Sequence, residues 1–439
     1  MSRPGSRVGL VALLGTRAVS MLGGQVSTIA IPWLVLTTTG DPAQMGLVIA
    51  ARMVPYLLAG LFGTPLADRI GILRTTIIAD LVSMCAVATI AAVPGVGMPV
   101  ILAMVAVSGT VRGVGDRTET VLLRPLVEAA GAKLPRMTAV YTGIGSVAAV
   151  LGAPASGVLV AWIGPQQALW VTAVCVGLCA PILALFVHPP ADLMPERRTA
   201  EPYLVAVRGG ARHLRQDRLL MLLLTMTFLT NAVNQAMGAL FIPLWVDQVF
   251  GTPAALGVVF GTSAAGAVVG NLIFIALAQR LPRFLTFALC LTISGVPRLL
   301  VLALSQDLAL VLAVTFVSGV AVSAVNPILG ILLYERVPNE LQTRVFGLVT
   351  TVTYTGFPIG GVLGGLAVAG FGLTGALLVG AGIYLATTTI PMLRLRTADR
   401  AASADRAAAD DAAADDGAAP ADGDASLRRP TEKAGPAET

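Results

Sequence analysis

Charge is the scarcest commodity in this chain. Asp, Glu, Lys and Arg make up 12% of its 439 residues, about half the share found in a soluble domain. Cysteine is also sparse: Cys85, Cys175, Cys179 and Cys290 lie in apolar runs with no metal-ligand spacing, so they read as small packing residues rather than ligands. No P-loop, no H-E-x-x-H and no G-x-S-x-G occurs among the polar breaks, which leaves nucleotide hydrolysis and the familiar protease or esterase chemistries without residues to perform them. Neither a metal nor any other cofactor is expected. One set of loops lacks Lys and Arg altogether and carries only Asp41, Asp247 and Asp307.

What is present is apolar. Hydrophobic residues account for 56% of the chain, with a mean hydropathy of +0.82. About 20 such residues span a bilayer, and twelve runs of that kind follow one another, from 8–37 and 43–64 to 345–369 and 373–393, divided by short polar or Gly/Pro breaks. Arg3 to Leu14 has the outline of a signal peptide, but Arg17 interrupts the run and the apolar pattern resumes beyond it. The expected fold class is an all-α membrane protein, with twelve transmembrane helices in two pseudo-symmetric six-helix bundles.

Among the loops, basic residues fall on one side only: Arg69 and Arg74, then Arg124, Lys133 and Arg136, then Arg197 through Arg218, then Arg280 and Arg283, then Arg336 and Arg344. Cytoplasmic loops collect such residues, so both termini are expected in the cytoplasm. Ala-rich, Arg-over-Lys usage points to a high-GC bacterial source, and the expected location is the bacterial cytoplasmic (inner) membrane. The net charge of +5 reflects this asymmetry and gives no support for a nucleic-acid partner.

The chain repeats its punctuation. "IPWLVLTTTGDPAQMG" opens at Ile31 and "IPLWVDQVFGTPAALG" at Ile242, 211 positions later, with I-P, G-x-P and a final Gly in register. Further on the offset becomes 208: Arg136, Thr142, Gly152, Gly157 and Gly164 meet Arg344, Thr350, Gly360, Gly365 and Gly372. Two copies of a six-helix unit account for this. An even number of helices per copy makes them parallel repeats able to close alternately over a central site. The expected division is 1–187 for the first bundle, 188–217 for a linker, 218–396 for the second bundle and 397–439 for a disordered acidic tail. The linker's "PYLVAVRGGARHLRQ" reads either as an amphipathic helix on the membrane surface or as a basic tether.

"GTPLADRIGILRT" after the second run resembles the loop motif of the major facilitator superfamily, which Asp68, Arg69, Gly71 and Arg74 match, while Thr64, Ile72 and Leu73 depart from it. "GIGSVAAVLGAPASG" is similar to the Gly-Pro motif of family exporters in helix five: Gly152, Pro154 and Gly157 fit, and Ala153 stands in place of a Gly. "VRGVGDRTETVLLRPLVE" and "ERVPNELQTRVFGLV" look like the branch known for macrolide-type or siderophore efflux. The resemblance implies a secondary active transporter, not an enzyme, that rocks two bundles about a central cavity and uses Asp68 as part of a latch. It implies drug-like or natural-product efflux in exchange for protons. The alternatives are an importer, a metabolite exporter, or a non-transporting receptor or lipid-handling protein on the same scaffold. The expected partners are a small-molecule substrate, protons and the bilayer, and the chain is expected to act as a monomer.

Ionisable groups inside a membrane are costly and read first as functional. Asp80, Asp116 and Glu119 are the acids within the predicted runs. Arg112, Asp116 and Glu119, spaced four and three apart, share one helical face, so Arg112 with Asp116 is either a proton-carrying pair or a permanent ion pair. Asp80 is expected to pair with Arg52 or Arg74. Candidates for the cavity lining are Arg17 and Gln25 in the first run, Arg52 in the second, Asn231, Asn234 and Gln235 in the seventh, Arg298 in the ninth and Asn326 in the tenth. Hydrogen bonding between helices is the competing role for each.

Overall fold

The computed structural model describes residues 4–63, 67, 69–93, 95–189, 211–212, 214–277 and 282–416. Asp68, linker residues 190–210, Arg280 and the tail beyond 416 lie outside the described residues. In the first bundle the helices are α1 (Pro4–Thr39), α2 (Pro42–Phe62), α3 (Ile72–Ala92), α4 (Met98–Ala129), α5 (Leu134–Ile163) and α6 (Pro165–Phe186). In the second, α7 runs from Arg218–Ala236 through a π-turn at Met237–Phe241 into Ile242–Phe250. It is followed by α8 (Pro253–Leu277), α9 (Arg283–Leu304) and α10, which comprises Leu308–Val322 and Val325–Arg336. Residues 339–371 form α11, and α12 starts at 373. Among the described residues eleven stretches are long and apolar enough to cross a bilayer, and the last, Val345–Met392, is two helices divided at Gly372, which makes twelve.

The repeated punctuation has a conformational cause. Gly40 and Gly251, related by the 211 offset, both take a left-handed φ, of 63° and 64°. Gly164 and Gly372, related by the 208 offset, do the same at 84° and 69°. A Cβ would be strained there, so glycine is favoured at these four reversals. Proline then opens the next helix at Pro42, Pro165 and Pro253, where its missing N–H costs nothing. Asp41 adds a cap, accepting a hydrogen bond from the Ala43 N–H at 2.8 Å.

The two bundles meet through small residues. A Cβ on Gly157 of α5 would lie 2.7 Å from the Cα of Gly257 on α8, and one on Gly365 of α11 would lie 2.8 Å from the Pro42 carbonyl oxygen and 3.5 Å from the Cα of Gly46 on α2. These are the same contact in each copy, since 157 maps onto 365 and 46 onto 257. Both lie toward the edge that carries Asp41 and Asp307, and they hold the bundles together there. The outward faces are apolar, with Trp162, Leu304, Ile275 and Phe371 largely exposed, as helices bathed in lipid require.

Two contiguous units are distinguished, 1–390 and 391–439. Residues 397–416, expected to be disordered, are helical, which accords with the high helix propensity of their alanines. Helix α4 reaches Ala129, and in its last turns Arg124 and Glu128, four apart, close an ion pair at 2.7 Å.

Candidate functional site

Helices α3 and α4 are antiparallel neighbours, and their register brings the first-bundle charges together. Thr76 and Thr118 share a hydrogen bond at 2.8 Å, and Ser83 and Ser108 another at 3.0 Å. Between these rungs the Arg112 guanidinium donates to Asp80 at 3.0 Å. This corrects the expected pairing of Asp80 with Arg52 or Arg74. Arg74 is exposed nearly two turns away, and Arg52 lies with Ser27 and Ser108 around a small gap.

Arg112 also donates to the Ser20 hydroxyl of α1 at 2.7 Å and sits 3.8 Å from its neighbour Asp116. Asp116 in turn accepts from the Tyr56 hydroxyl at 3.2 Å. The Arg112–Asp116 pair expected from spacing is therefore the looser of two, and Asp80 is the closer partner. Glu119, one turn further along α4, faces Arg17 of α1 at 3.4 Å, and Arg17 stacks over the Tyr141 ring at 4.7 Å from its centroid. Arg17 thus belongs to the charge cluster and not to the central cavity lining. Beneath the cluster, toward the arginine-bearing edge, Leu13, Leu122, Leu126 and Val127 form a buried apolar core.

Glu119 and Asp80 are both buried, at 8% and 6% exposure. Glu119 Oε1 and Arg17 Nε have no hydrogen-bond partner among the described residues. An incompletely satisfied carboxylate in such a setting is costly to keep charged. The arrangement therefore suits a group that exchanges a proton as its surroundings change.

The second element is a cavity of about 480 Å³ between the bundles. Gln25 and Thr28 from α1, Asn234 and Gln235 from α7, and Ser294 and Arg298 from α9 line it. Met237 and Gly238 of the π-turn also face it. Such irregular backbone is tolerated at membrane depth where it borders a cavity. Asn231 and Asn326, expected in the same lining, border a separate cavity of about 290 Å³ beside Tyr334 and Phe346.

Tyr384 carries no sequence signal beyond being a lone aromatic in an Ala/Leu/Gly helix, yet it organises the second-bundle side. Its hydroxyl accepts from Asn234 at 3.3 Å and shares a hydrogen bond with Ser294 at 3.2 Å. Its ring fills the space left by the missing side chain of Gly295. Tyr56 and Ser20, also missed, were invisible because their partners lie on other helices.

The helix-five motif has a packing role in the structure. Gly152 leaves room for the Gln25 side chain, Pro154 packs against Gly261, and Gly157 against Gly257. In the loop motif, Gly71 takes a φ of 101° and caps α3, while Arg69 and Arg74 are exposed.

Two six-helix repeats closed around a cavity, with a cluster of ionisable groups inside the first of them, define a membrane transport protein. The Major Facilitator Superfamily model matches residues 13–251 and 227–431, and the chain belongs to that superfamily, whose members are secondary transporters and not enzymes. The Multidrug efflux pump Tap of Mycobacterium tuberculosis (strain ATCC 25618 / H37Rv) is 26% identical over 359 residues, covering 80% of this chain and 85% of that protein. The Tap pump of Mycolicibacterium fortuitum is 24% identical over 403 residues, with 90% and 98% covered. A Staphyloferrin A transporter of Staphylococcus aureus matches at 23% over 57% of this chain and 63% of its own length. Among solved structures the fold is shared with the nucleoside transporter NupG, at a TM-score of 0.76 and 12% identity over 88% of this chain and 98% of that one. It is also shared with a bacterial homolog of the lysosomal transporter Spinster, inward-facing and unoccupied, at 0.70 and 14% over 90% and 98%.

Proposed function

We propose that the chain exports a small amphipathic compound across a bacterial cytoplasmic membrane in exchange for protons, by alternating access. It works as a monomer with both termini in the cytoplasm. The observation that carries the coupling is the buried cluster of Asp80, Asp116 and Glu119 with Arg112 and Arg17. Glu119 is the proton carrier in this reading. One of its oxygens has no partner, and Arg17 stands close enough to favour its charged form. A proton taken from the side that carries Asp41 would neutralise Glu119 and release Arg17. Rocking of the bundles would then open the cluster toward the cytoplasm, where the proton leaves. Asp80 is fixed more firmly, by Arg112, and serves to hold that guanidinium in place.

The glycine contacts that close the bundles at the aspartate-bearing edge fit one end state of the cycle, with the central cavity reached from the cytoplasm. The efflux activity named for the Tap relatives favours the outward direction. The Asp68 latch, part of this reading, would close the opposite edge in the other state.

Proton release from acidified everted vesicles containing the protein, on addition of macrolides, dyes and siderophores, tests the proposal. Compound-dependent release that Glu119→Gln abolishes and Asp116→Asn retains is expected. Release lost in Asp116→Asn and kept in Glu119→Gln moves the proton to Asp116, and no release with any compound defeats the antiport reading.

A further inference from the structure

The central cavity is lined by a single charged side chain, and no described acid pairs with it. Arg298 is the one ionisable residue among those lining the cavity. Its Nε is buried without a hydrogen-bond partner, and Arg298 forms no ion pair or hydrogen bond with a described residue. The acids with described side chains in and bordering the second bundle are all near helix ends: Asp217, Asp247, Asp307 and Glu335. Asp217 and Glu335 are already engaged, by Arg336 and Arg283. Of those described in the first bundle, Asp80 and Asp116 face Arg112, Glu119 faces Arg17, Glu128 pairs with Arg124 and Asp41 caps α2. Arg112 and Arg17 thus have acids beside them, whereas Arg298 faces the central cavity without one.

An unpaired guanidinium at membrane depth is expensive unless an anion is supplied from elsewhere. From this we infer that the cavity takes a substrate bearing an anionic group, a carboxylate, sulfonate or phosphate, on an apolar body, and that Arg298 is the residue that selects it. The inference rests on the central cavity being the transport site. The guanidinium fork matches such an anion in a bidentate way. Asn234, which lines the same cavity, gives one amide N–H to the Tyr384 hydroxyl and keeps a second for a remaining anionic oxygen. Phe260, Met237 and Ala264 supply apolar surface for the body. A cation is disfavoured in the same space, since no acid lines it and Arg298 repels it.

Calorimetric titration of the purified full chain in neutral detergent tests this with three probes that share one ring system: pyrenebutyrate, its carboxamide and pyrenemethylammonium. The carboxylate is expected to bind at least about tenfold more tightly than the amide, the margin of a charge-assisted hydrogen bond. The ammonium probe is expected to bind weakest. Arg298→Gln should bring carboxylate and amide to parity, and Arg298→Lys should restore part of the preference. Because Arg298→Gln removes an unpaired charge, thermal stability should hold or rise; a structural arginine would lower it. Short-chain phosphatidylglycerol competing where phosphatidylcholine does not would support the anion site and assign its occupant to lipid. Equal affinities for carboxylate and amide, preference for the ammonium probe, or no binding of any probe overturns the inference. Binding is read here without a gradient, so failure of proton exchange in the vesicle assay leaves this result independent.

Discussion

The bundles touch at the aspartate-bearing edge through Gly157 on Gly257 and Gly365 on Gly46, and a single methyl group tests whether those contacts set the conformational equilibrium. In Gly157→Ala the added Cβ would stand 2.7 Å from Gly257 Cα and 2.8 Å from both Gly257 N and the Pro253 carbonyl oxygen. All three are backbone atoms, so no side chain can rotate away and one helix must move. Overpacking of this kind costs about 1–3 kcal/mol. The cost falls only on the state in which the edge is closed, so the balance between closed and parted states shifts by roughly 5- to 150-fold. Spin labels at Trp162→Cys and Thr252→Cys, with the four native cysteines replaced, report the separation of α5 from α8 across this edge. The variant should populate a longer distance. Gly365→Ala, whose Cβ would meet the Pro42 carbonyl oxygen at 2.8 Å and Ala43 Cα at 3.2 Å, should shift the same equilibrium in the same direction. Gly143→Ala, with nothing within 4 Å, is the control. A distance distribution in Gly157→Ala identical to that of the control refutes the reasoning.

Asp80→Asn should destabilise the chain by about 3 kcal/mol, because it leaves the Arg112 guanidinium short of its closest acid. Adding Arg112→Gln should recover part of that loss, a coupling that thermal melts of the two single variants and the double variant would measure. Gly295→Ala should cost about 1–3 kcal/mol, since its Cβ would run into the Tyr384 ring; a melting temperature equal to wild type would count against the packing described. Partial burial alone would raise the Asp217 carboxyl, but the Leu220 N–H, Arg336 and the Leu219 N–H together hold it below the ordinary value. With a folded value below the unfolded one, near 4, its stabilisation is complete above that pH and is lost as pH falls through the folded value. The melting-temperature gap between wild type and Asp217→Ala should therefore narrow below about pH 4, and a gap independent of pH would contradict the assignment.

Much of this protein is legible in one dimension. Apolar runs of bilayer length, the one-sided distribution of arginine and the duplicated punctuation lead to a two-bundle membrane protein, because the bilayer forces each span to satisfy its backbone within a helix. Gly40, Gly164, Gly251 and Gly372 are readable for the same local reason: the chain must reverse between spans, and only glycine does so freely at a positive φ. Residues on one helix are also within reach, as the shared face of Arg112, Asp116 and Glu119 illustrates.

Tertiary structure decided which charges meet. Asp80 pairs with Arg112 because α3 and α4 run antiparallel in the register set by Thr76 on Thr118 and Ser83 on Ser108, a relation no spacing within either helix encodes. Arg17, placed by sequence among the cavity residues, lies instead against Glu119 and Tyr141, since the face it presents depends on how α1 packs between α4 and α5. Arg298 looks in sequence like any other polar residue in a span. Its lack of a partner emerges only when the other acids and arginines have been matched in space. Sequence periodicity fixes the direction of a side chain relative to its own helix axis, and packing fixes what lies in that direction.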